Sequence, residues 1–305
     1  MPQPSYLVGL IGSGIGTSFS PALHEREADR QNLRYLYRLI DIETLGVAPG
    51  RVGELVRCAR DMGFDGLNIT HPCKQLVLKH LDALAPQAEE LGAVNTVVFE
   101  GARSVGHNTD VTGFAASFDR FLPDARIQRV VQLGAGGAGA AVAHALLARG
   151  CGHLTVLDTL PGKAAGLAAS LTRHFGTGRV STAEPHQLTA LLAHADGLVH
   201  ATPTGMATHP GLPLRAELLR PPLWVADIVY RPLETELLRT ARAHGCATLD
   251  GVGMVVLQAA DAFRLFTGHE PDRTRMFTDA AELAHATEGE PLCVRPSPPS
   301  RSAEH

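Results

Sequence analysis

The sequence feature that most constrains the fold is the run GAGGAG at residues 134–139. It follows an apolar run at residues 129–133 and precedes an alanine-rich segment at 140–147, the order typical of a strand, a turn and a helix. Such a turn points backbone N–H groups and the positive end of a helix dipole at a pyrophosphate, although glycine turns also occur for packing reasons alone. The candidate dinucleotide contacts are Gly134, Gly136, Gly137, Ala138 and Gly139.

A carboxylate follows the glycines at a characteristic spacing. The apolar run 153–157 ends in Asp158, about 20 residues past the turn, where a ribose-binding acid is expected. A carboxylate there accepts hydrogen bonds from the ribose 2′-OH and repels a 2′-phosphate, which favours NAD over NADP. Lys163 is a nearby cation that would tolerate some NADP, so NADP stays the less favoured cofactor. The alternative is that Asp158 only caps the helix beginning near Pro161.

Composition excludes several classes of protein. The 305 residues carry a formal net charge of −4, which gives no basic surface for nucleic acid. The five cysteines form no C-x-x-C pair and the fifteen histidines form no H-E-x-x-H motif, so we expect a reducing compartment and no metal. The N-terminus lacks a basic region before its apolar run, and no apolar stretch reaches the length of a membrane span. These features predict a cytoplasmic protein without membrane partners.

Strands and helices alternate in two series. In the first half, strands are predicted at residues 6–11, 36–40 and 67–69, with helices at 21–31, 51–61 and 74–81 between and after them. The second series begins at Val130, and its further strands are predicted at 154–157, 197–200, 223–227 and 248–249. Such alternation indicates an α/β protein with parallel, buried sheets.

The two series predict two domains with a cleft between them. Residues 1–112 would form an α/β substrate-binding domain, completed by C-terminal helices at 253–287. Residues 113–252 would form a Rossmann-type, doubly wound, parallel-sheet domain for NAD. The tail at 288–305, rich in Pro, Ser and charge, has little to bury and is predicted to be disordered.

The first half carries polar side chains at the end of a predicted strand, in the segment NITHPCK at residues 68–74. Asn68 and Thr70 can hydrogen-bond a polyol, and Lys74 can exchange a proton with a reacting hydroxyl. Asp110 beside Lys74 would form an ion pair that orients the amine. The alternative is an exposed lysine on the first turn of a helix capped by Thr70.

Several motifs in the same order resemble those of the shikimate and quinate dehydrogenases. The resemblance extends over roughly residues 7–283. The matching segments are SFSP at 18–21 with His24, NITHPCK at 68–74, GAVNT at 92–96, NTD at 108–110, DIVYRP at 227–232 and GVGMVVLQ at 251–258. This resemblance implies an NAD-dependent oxidoreductase that transfers hydride reversibly between a ring secondary alcohol and nicotinamide.

The resemblance also implies a role for each matching residue. Lys74 would be the acid–base group and Asp110 its partner. Ser18 and Ser20 would bind the substrate carboxylate. The carboxylate or ring hydroxyls would also contact Thr70, Asn95, Tyr230 and Gln258. The residues lining the nicotinamide side would be Thr202, Met206, Gly251 and Met254.

Departures from the family pattern leave the substrate open. Asp158-Thr159-Leu160 replaces the Asn-Arg-Thr common in NADP-dependent shikimate enzymes, and this resembles the branch that also oxidises quinate. Ser20 is instead usual in strict shikimate enzymes, and His200 replaces an asparagine near the nicotinamide. Shikimate, quinate or both therefore stay possible small-molecule substrates. The alternatives are a paralogue acting on an amino-substituted ring acid and a non-catalytic nucleotide-sensing protein, and we expect a monomer or homodimer.

Overall fold

The computed structural model describes residues 3–288, which form two six-stranded sheets. The predicted disordered tail lies outside the described residues except for Glu288, the last residue of a helix. The strands of the first sheet are β1 (Ser5–Gly12), β2 (Arg34–Asp41), β3 (Gly66–Ile69), β4 (Ala83–Leu84), β5 (Thr96–Glu100) and β6 (Arg103–His107).

The first sheet is mixed, with the strand order β2-β1-β3-β5-β6-β4. β1 is parallel to β2 and β3, as predicted, but β5 is antiparallel to both of its neighbours. The expectation of a wholly parallel sheet was therefore wrong in this half. A two-residue turn joins β5 to β6, and a connection this short forces an antiparallel hairpin.

Three α-helices accompany this sheet: α1 (Ser20–Arg30), α2 (Val52–Asp61) and α3 (Pro86–Leu91). The first two confirm the predicted helices. The helix predicted at 74–81 is absent, and only a 3₁₀ turn at Leu78–His80 forms there. The carbonyl of Lys74 instead accepts a hydrogen bond from the amide of Val94, at 2.9 Å, which fixes this segment to the loop before β5.

The second sheet is entirely parallel and doubly wound, in the order β12-β11-β10-β7-β8-β9. Its strands are β7 (Arg129–Leu133), β8 (His153–Leu157), β9 (Val180–Thr182), β10 (Gly197–His200), β11 (Trp224–Asp227) and β12 (Thr248–Leu249). The remaining helices are α4 (Thr109–Phe121), α5 (Gly137–Ala148), α6 (Pro161–Phe175), α7 (Leu188–Leu192), α8 (Glu236–Ala243), α9 (Gly251–Thr267) and α10 (Arg273–Glu288). The predicted α/β class with a Rossmann-type half is confirmed; the short β9 was not predicted.

Two helices connect the sheets. α4 and α9 pack closely where Gly113 faces α9, since a Cβ on Gly113 would lie 2.8 Å from the backbone nitrogen of Gln258. The predicted domain limits at 112/113 and 252/253 both fall within these helices and stay a prediction, as does the oligomeric state. Within residues 3–288, no helix is both long and apolar enough to cross a membrane.

Candidate active site

The glycine turn closes tightly between β7 and α5. Gly134 has φ +101°, and a Cβ there would lie 2.4 Å from the carbonyl oxygen of Ala201, while one on Gly139 would lie 2.5 Å from the carbonyl oxygen of Gly134. Both positions therefore require glycine. The buried Gln132 amide donates to the carbonyls of Gly134 and Gly139, at 2.9 and 2.8 Å. A Cβ on Gly136 would meet no atom within 4 Å, so this side of the turn is open to a ligand.

Asp158 lies beside the same turn, at the end of β8. Its Oδ2 accepts a hydrogen bond from the amide of Ala135 and its Oδ1 one from the amide of Leu160, both at 2.9 Å. Ala138 lies in the first turn of α5, half-buried. An open glycine turn, a helix N-terminus and a carboxylate thus occur together, which fits a dinucleotide.

The residues predicted for the nicotinamide side lie on two segments, the loop after β10 and the start of α9. Thr202 follows β10, and its Cγ2 is 3.0 Å from the position of a Cβ on Gly134. Gly251 begins α9 and packs on the carbonyl of Ile228, and Met254 is buried one turn later. Met206 lies in the loop after β10 and is 40% exposed.

A buried polar chain supports Thr202. The Thr202 hydroxyl lies 2.5 Å from Nε2 of His200, and Nδ1 of His200 lies 2.9 Å from Oδ1 of Asp227. Oδ2 of Asp227 accepts a hydrogen bond from the hydroxyl of Thr235 at 2.6 Å. The side chains of His200 and Asp227 are fully buried. In the sequence His200 is only a departure from the family pattern, because its carboxylate partner, Asp227, lies on the neighbouring strand β11.

Lys74 and Asp110 form the ion pair predicted from the sequence. Lys74 Nζ lies 2.6 Å from Asp110 Oδ2, and the side chains are 16% and 8% exposed. Asn108 caps α4 by accepting hydrogen bonds from the amides of Asp110 and Val111, which fixes Asp110 in the first helical turn. The positive end of the helix dipole favours a carboxylate at this position.

A buried network of amides and hydroxyls lies beside this pair and includes Thr109, the chain neighbour of Asp110. The Asn68 amide donates to the hydroxyl of Thr96 at 3.1 Å, and the Asn95 amide donates to the hydroxyl of Thr109 at 2.9 Å. The Thr109 hydroxyl in turn lies 3.4 Å from Oε1 of Gln258 on α9. The structure therefore brings Asn68, Asn95 and Gln258 together next to Asp110.

Tyr37 is a member of this network that sequence analysis missed. Its hydroxyl donates to Oδ1 of Asn68 at 2.8 Å and is also hydrogen-bonded to Ser20. Burial raises the pKa of Tyr37, and the bond to Ser20 offsets part of that rise, so the hydroxyl stays protonated. The alternation within β2 could have indicated an inward tyrosine, but not its partners.

The remaining predicted substrate residues are Ser18, Ser20, Tyr230 and Thr70. The Ser18 hydroxyl accepts a hydrogen bond from the amide of Ser20 at 3.2 Å. The ring of Tyr230 packs edge-on against Phe19, 5.6 Å between centroids. Thr70 is half-buried against Gly12, on the loop after β3. These residues lie on the segments between β1 and α1, after β3 and after β11.

The Lys74–Asp110 pair lies close to the glycine turn. A Cβ on Gly137 would lie 3.5 Å from Cδ of Lys74. The amine that pairs with Asp110 therefore lies on a side chain whose stem packs against the start of α5. The fold and site define a two-domain protein whose Rossmann-type half faces a buried lysine–aspartate ion pair and a cluster of hydroxyl and amide groups.

Comparison with known proteins agrees with this architecture. Residues 10–97 match the shikimate dehydrogenase substrate binding domain, and residues 251–276 match the shikimate 5'-dehydrogenase C-terminal domain. The chain is 76% identical to a shikimate dehydrogenase (NADP(+)) of Streptomyces avermitilis over 93% of this chain and 98% of that protein. It is 50% identical to a quinate/shikimate dehydrogenase (NAD(+)) of Corynebacterium efficiens over 90% and 98%.

The solved structure of quinate dehydrogenase from Corynebacterium glutamicum in complex with NAD is similar as well. It has a TM-score of 0.87 and 45% identity, covering 92% of this chain and all of that one. The chain therefore belongs to the shikimate dehydrogenase family. It is an oxidoreductase that acts on CH–OH groups with NAD or NADP, and the predicted family and enzyme class are confirmed.

Proposed function

We propose that this chain oxidises a ring secondary alcohol of shikimate, quinate or both, reversibly and with NAD as the preferred cofactor, giving 3-dehydroshikimate or 3-dehydroquinate. The observation that carries the proposal is the Lys74–Asp110 pair, 2.6 Å apart and packed against Gly137 of the glycine turn. The position of this amine, where the substrate and cofactor halves meet, supports a role in proton exchange.

Lys74, Asp110 and the nicotinamide have separate roles in this reaction. When bound, the nicotinamide supplies the hydride acceptor or donor. In the oxidation direction the neutral amine of Lys74 takes the hydroxyl proton as the hydride leaves the ring carbon, and the ammonium that results stabilises the substrate oxygen. Asp110 orients the Lys74 amine through their hydrogen bond. The short distance and low exposure of the pair support this role because both favour a fixed geometry.

Substrate binding is assigned to the polar residues around this pair. Ser18 and Ser20 would hold the ring carboxylate, while hydroxyl groups of the ring would bind Asn68, Thr70, Asn95, Tyr230 and Gln258. The Tyr37 hydroxyl holds both Ser20 and Asn68, which supports a preformed site. A site built to hydrogen-bond several hydroxyls rejects analogues that lack them, because its buried polar groups would be left without partners.

The preference for NAD rests on Asp158. Its carboxylate lies beside the turn formed by Gly134, Gly136, Gly137, Ala138 and Gly139, where it can accept from a ribose hydroxyl and repel a 2′-phosphate. The S. avermitilis relative is named for NADP(+), whereas the C. efficiens relative and the C. glutamicum structure are named for NAD. Thr202, Met206, Gly251 and Met254 would line the nicotinamide.

One experiment tests both parts of the proposal. Steady-state rates are measured for shikimate and for quinate, each with NAD and with NADP. We expect turnover of at least one acid, with the higher kcat/KM for NAD. Absence of turnover in all four combinations, in protein shown to be folded by circular dichroism, would exclude the reaction. Higher efficiency with NADP would exclude only the role given to Asp158.

A further inference from the structure

Three side chains form a cluster beside the second half of α5, away from the glycine turn along the helix. Glu90 lies on α3, His144 on the second half of α5, and His174 near the end of α6. His144 is seven residues from Gly137, about 10 Å along the helix. The cluster therefore joins a helix of the first half of the chain to two helices of the Rossmann-type half, outside the substrate and cofactor residues.

The spacing of the three side chains fits a metal ion. Oε2 of Glu90 lies 3.4 Å from Nε2 of His144 and 3.3 Å from Nε2 of His174. The three potential ligand atoms all lie within 4.8 Å of one another. A tetrahedral ion with ligands at 2.0–2.1 Å separates neighbouring ligand atoms by about 3.3 to 3.4 Å. Two edges of the cluster already have this length.

The buried histidine points to the same conclusion. His144 is 4% exposed; within the described part of the chain its Nδ1 has no hydrogen-bond partner, and its Nε2 has only the 3.4 Å contact with Glu90. A buried polar nitrogen without a partner is costly and calls for an explanation.

We propose that Glu90, His144 and His174 bind a divalent transition-metal ion of the Zn²⁺ class. Two imidazole nitrogens and one carboxylate oxygen are ligands that suit Zn²⁺ and disfavour Mg²⁺ and Ca²⁺, which prefer oxygen. The exposed side chains of Glu90 and His174 leave a fourth position to water. Because the ligands come from α3, α5 and α6, the ion braces the two halves of the protein against each other.

The sequence shows no motif for this site because its ligands lie on three separate helices. The surface pocket lined by Glu90 and His174 also includes Glu89, which adds a second carboxylate, and Arg173, which adds one opposing cation. His174 also packs edge-on against Phe175, 4.6 Å between ring centroids, and Phe175 contacts His144 in the same manner at 5.0 Å. These ring contacts hold the two imidazoles in place before an ion binds, and preorganised ligands bind more tightly.

Calorimetric titration of untagged, chelator-treated protein with ZnCl₂ tests the proposal. We expect one ion bound per chain, and a rise of about 5 °C in the thermal midpoint at saturating Zn²⁺. Glu90→Gln and His174→Gln change exposed side chains, so both variants should fold. Each should weaken Zn²⁺ binding at least about 100-fold, since loss of even an outer partner of a metal ligand costs 10–100-fold. His186→Gln, at an exposed histidine elsewhere, is the matched control and should bind as the wild type does.

Four results would overturn the site. The first is the absence of saturable Zn²⁺ binding in the wild type. The second is binding that persists unchanged in both variants, which would place the ion on other histidines. The third is an equal response to MgCl₂. The fourth is a loss of stability in His174→Gln that is the same with and without Zn²⁺. Both of the last two results would indicate an ordinary charged contact. None of these measurements depends on turnover of a substrate.

Discussion

Replacement of Lys74 gives the sharpest test of the proposed chemistry. The Lys74 stem packs near Gly137 while its amine pairs with Asp110, so truncation to alanine would disturb two things at once. Lys74→Met keeps most of the stem and removes only the amine. Lys79→Ala, at an exposed lysine nearby, is the matched control.

The expected magnitude follows from the role and the burial of the pair. A positioned acid–base group contributes about 10²- to 10⁴-fold to the rate, which is about 2.7 to 5.4 kcal/mol of transition-state stabilisation. Lys74→Met also leaves the Asp110 carboxylate, 8% exposed, without its cation. Breaking a buried pair costs about 3 to 5 kcal/mol of stability, and the α4 N-terminus offsets part of that. Activity must therefore be compared in protein shown to be folded.

The assay is a double-mutant cycle on kcat. We compare the wild type with Lys74→Met, Asp110→Asn and the double variant at saturating NAD and saturating shikimate or quinate. NAD affinity is measured by calorimetry. We expect both single changes to slow turnover, and the double change to cost much less than the product of the two, because residues acting as a unit are not additive. NAD affinity should change little in Lys74→Met, since the stem beside Gly137 remains.

The result that refutes the reasoning is a folded Lys74→Met enzyme with near wild-type kcat. That outcome would make Lys74 a structural partner of Asp110 and nothing more. Strict additivity of the two changes would remove Asp110 from the unit while leaving Lys74 in place. Slowed turnover in Lys79→Ala would show that any change in this segment disturbs the site.

Three further predictions concern the cofactor, the buried polar chain and the effect of pH. Asp158→Ala should lower the ratio of kcat/KM for NAD to kcat/KM for NADP by about 10- to 150-fold. This range corresponds to the loss of a hydrogen bond to a charged group, about 1.5 to 3 kcal/mol. An unchanged ratio would contradict the role of Asp158. His200→Leu should lower the free energy of unfolding by about 3 kcal/mol in urea titrations, because Asp227 and Thr202 both lose a partner, whereas a loss below about 1 kcal/mol would count against the chain of contacts. Burial lowers the pKa of His24 from 6.5 to about 3, so below pH 6.5 the unfolded state binds a proton that the folded state does not, and stability falls as the pH decreases towards 3. The free energy of unfolding, measured at pH 7, 6 and 5, should depend less on pH in His24→Leu than in the wild type, by up to about 1.4 kcal/mol per pH unit. An equal pH dependence in both proteins would exclude His24 as a cause of the loss of stability.

The parts of the fold that could be predicted are those written in local sequence. The glycines at 134 and 139 recur at a spacing that only a tight strand-to-helix turn needs, and the structure shows both against carbonyl oxygens. Lys74 and Asp110 lie in short motifs at strand ends, and such ends meet at one edge of a sheet. The helix prediction at 74–81 was wrong because the hydrogen bond between the amide of Val94 and the carbonyl of Lys74 overrides the helical pattern of this segment.

The parts that could not be predicted depend on contacts between distant segments. In the sequence Tyr37 is only one more inward residue of a strand. Its role depends on the contacts of its hydroxyl with Ser20 and Asn68, which the sequence does not show. To predict the antiparallel β5–β6 hairpin, one must know that a two-residue turn, and not a helix, joins those strands. In both cases the decisive partner lies on another element, and periodicity carries information only about the element itself.

His200 shows how a departure in sequence can be resolved by structure. Within β10, a histidine in place of the family's asparagine would bring a larger ring and a second nitrogen into a fully buried position. Each added polar atom must find a partner there. Asp227 supplies an acceptor for Nδ1 at 2.9 Å, and Nε2 then faces the Thr202 hydroxyl, which also lies within 3.4 Å of the amide of Thr204. If Nδ1 carries the proton towards the carboxylate, Nε2 accepts from Thr202 and fixes the hydroxyl direction. His200 therefore orients a residue beside the glycine turn, and His200→Asn should retain folding while changing KM for NAD more than kcat.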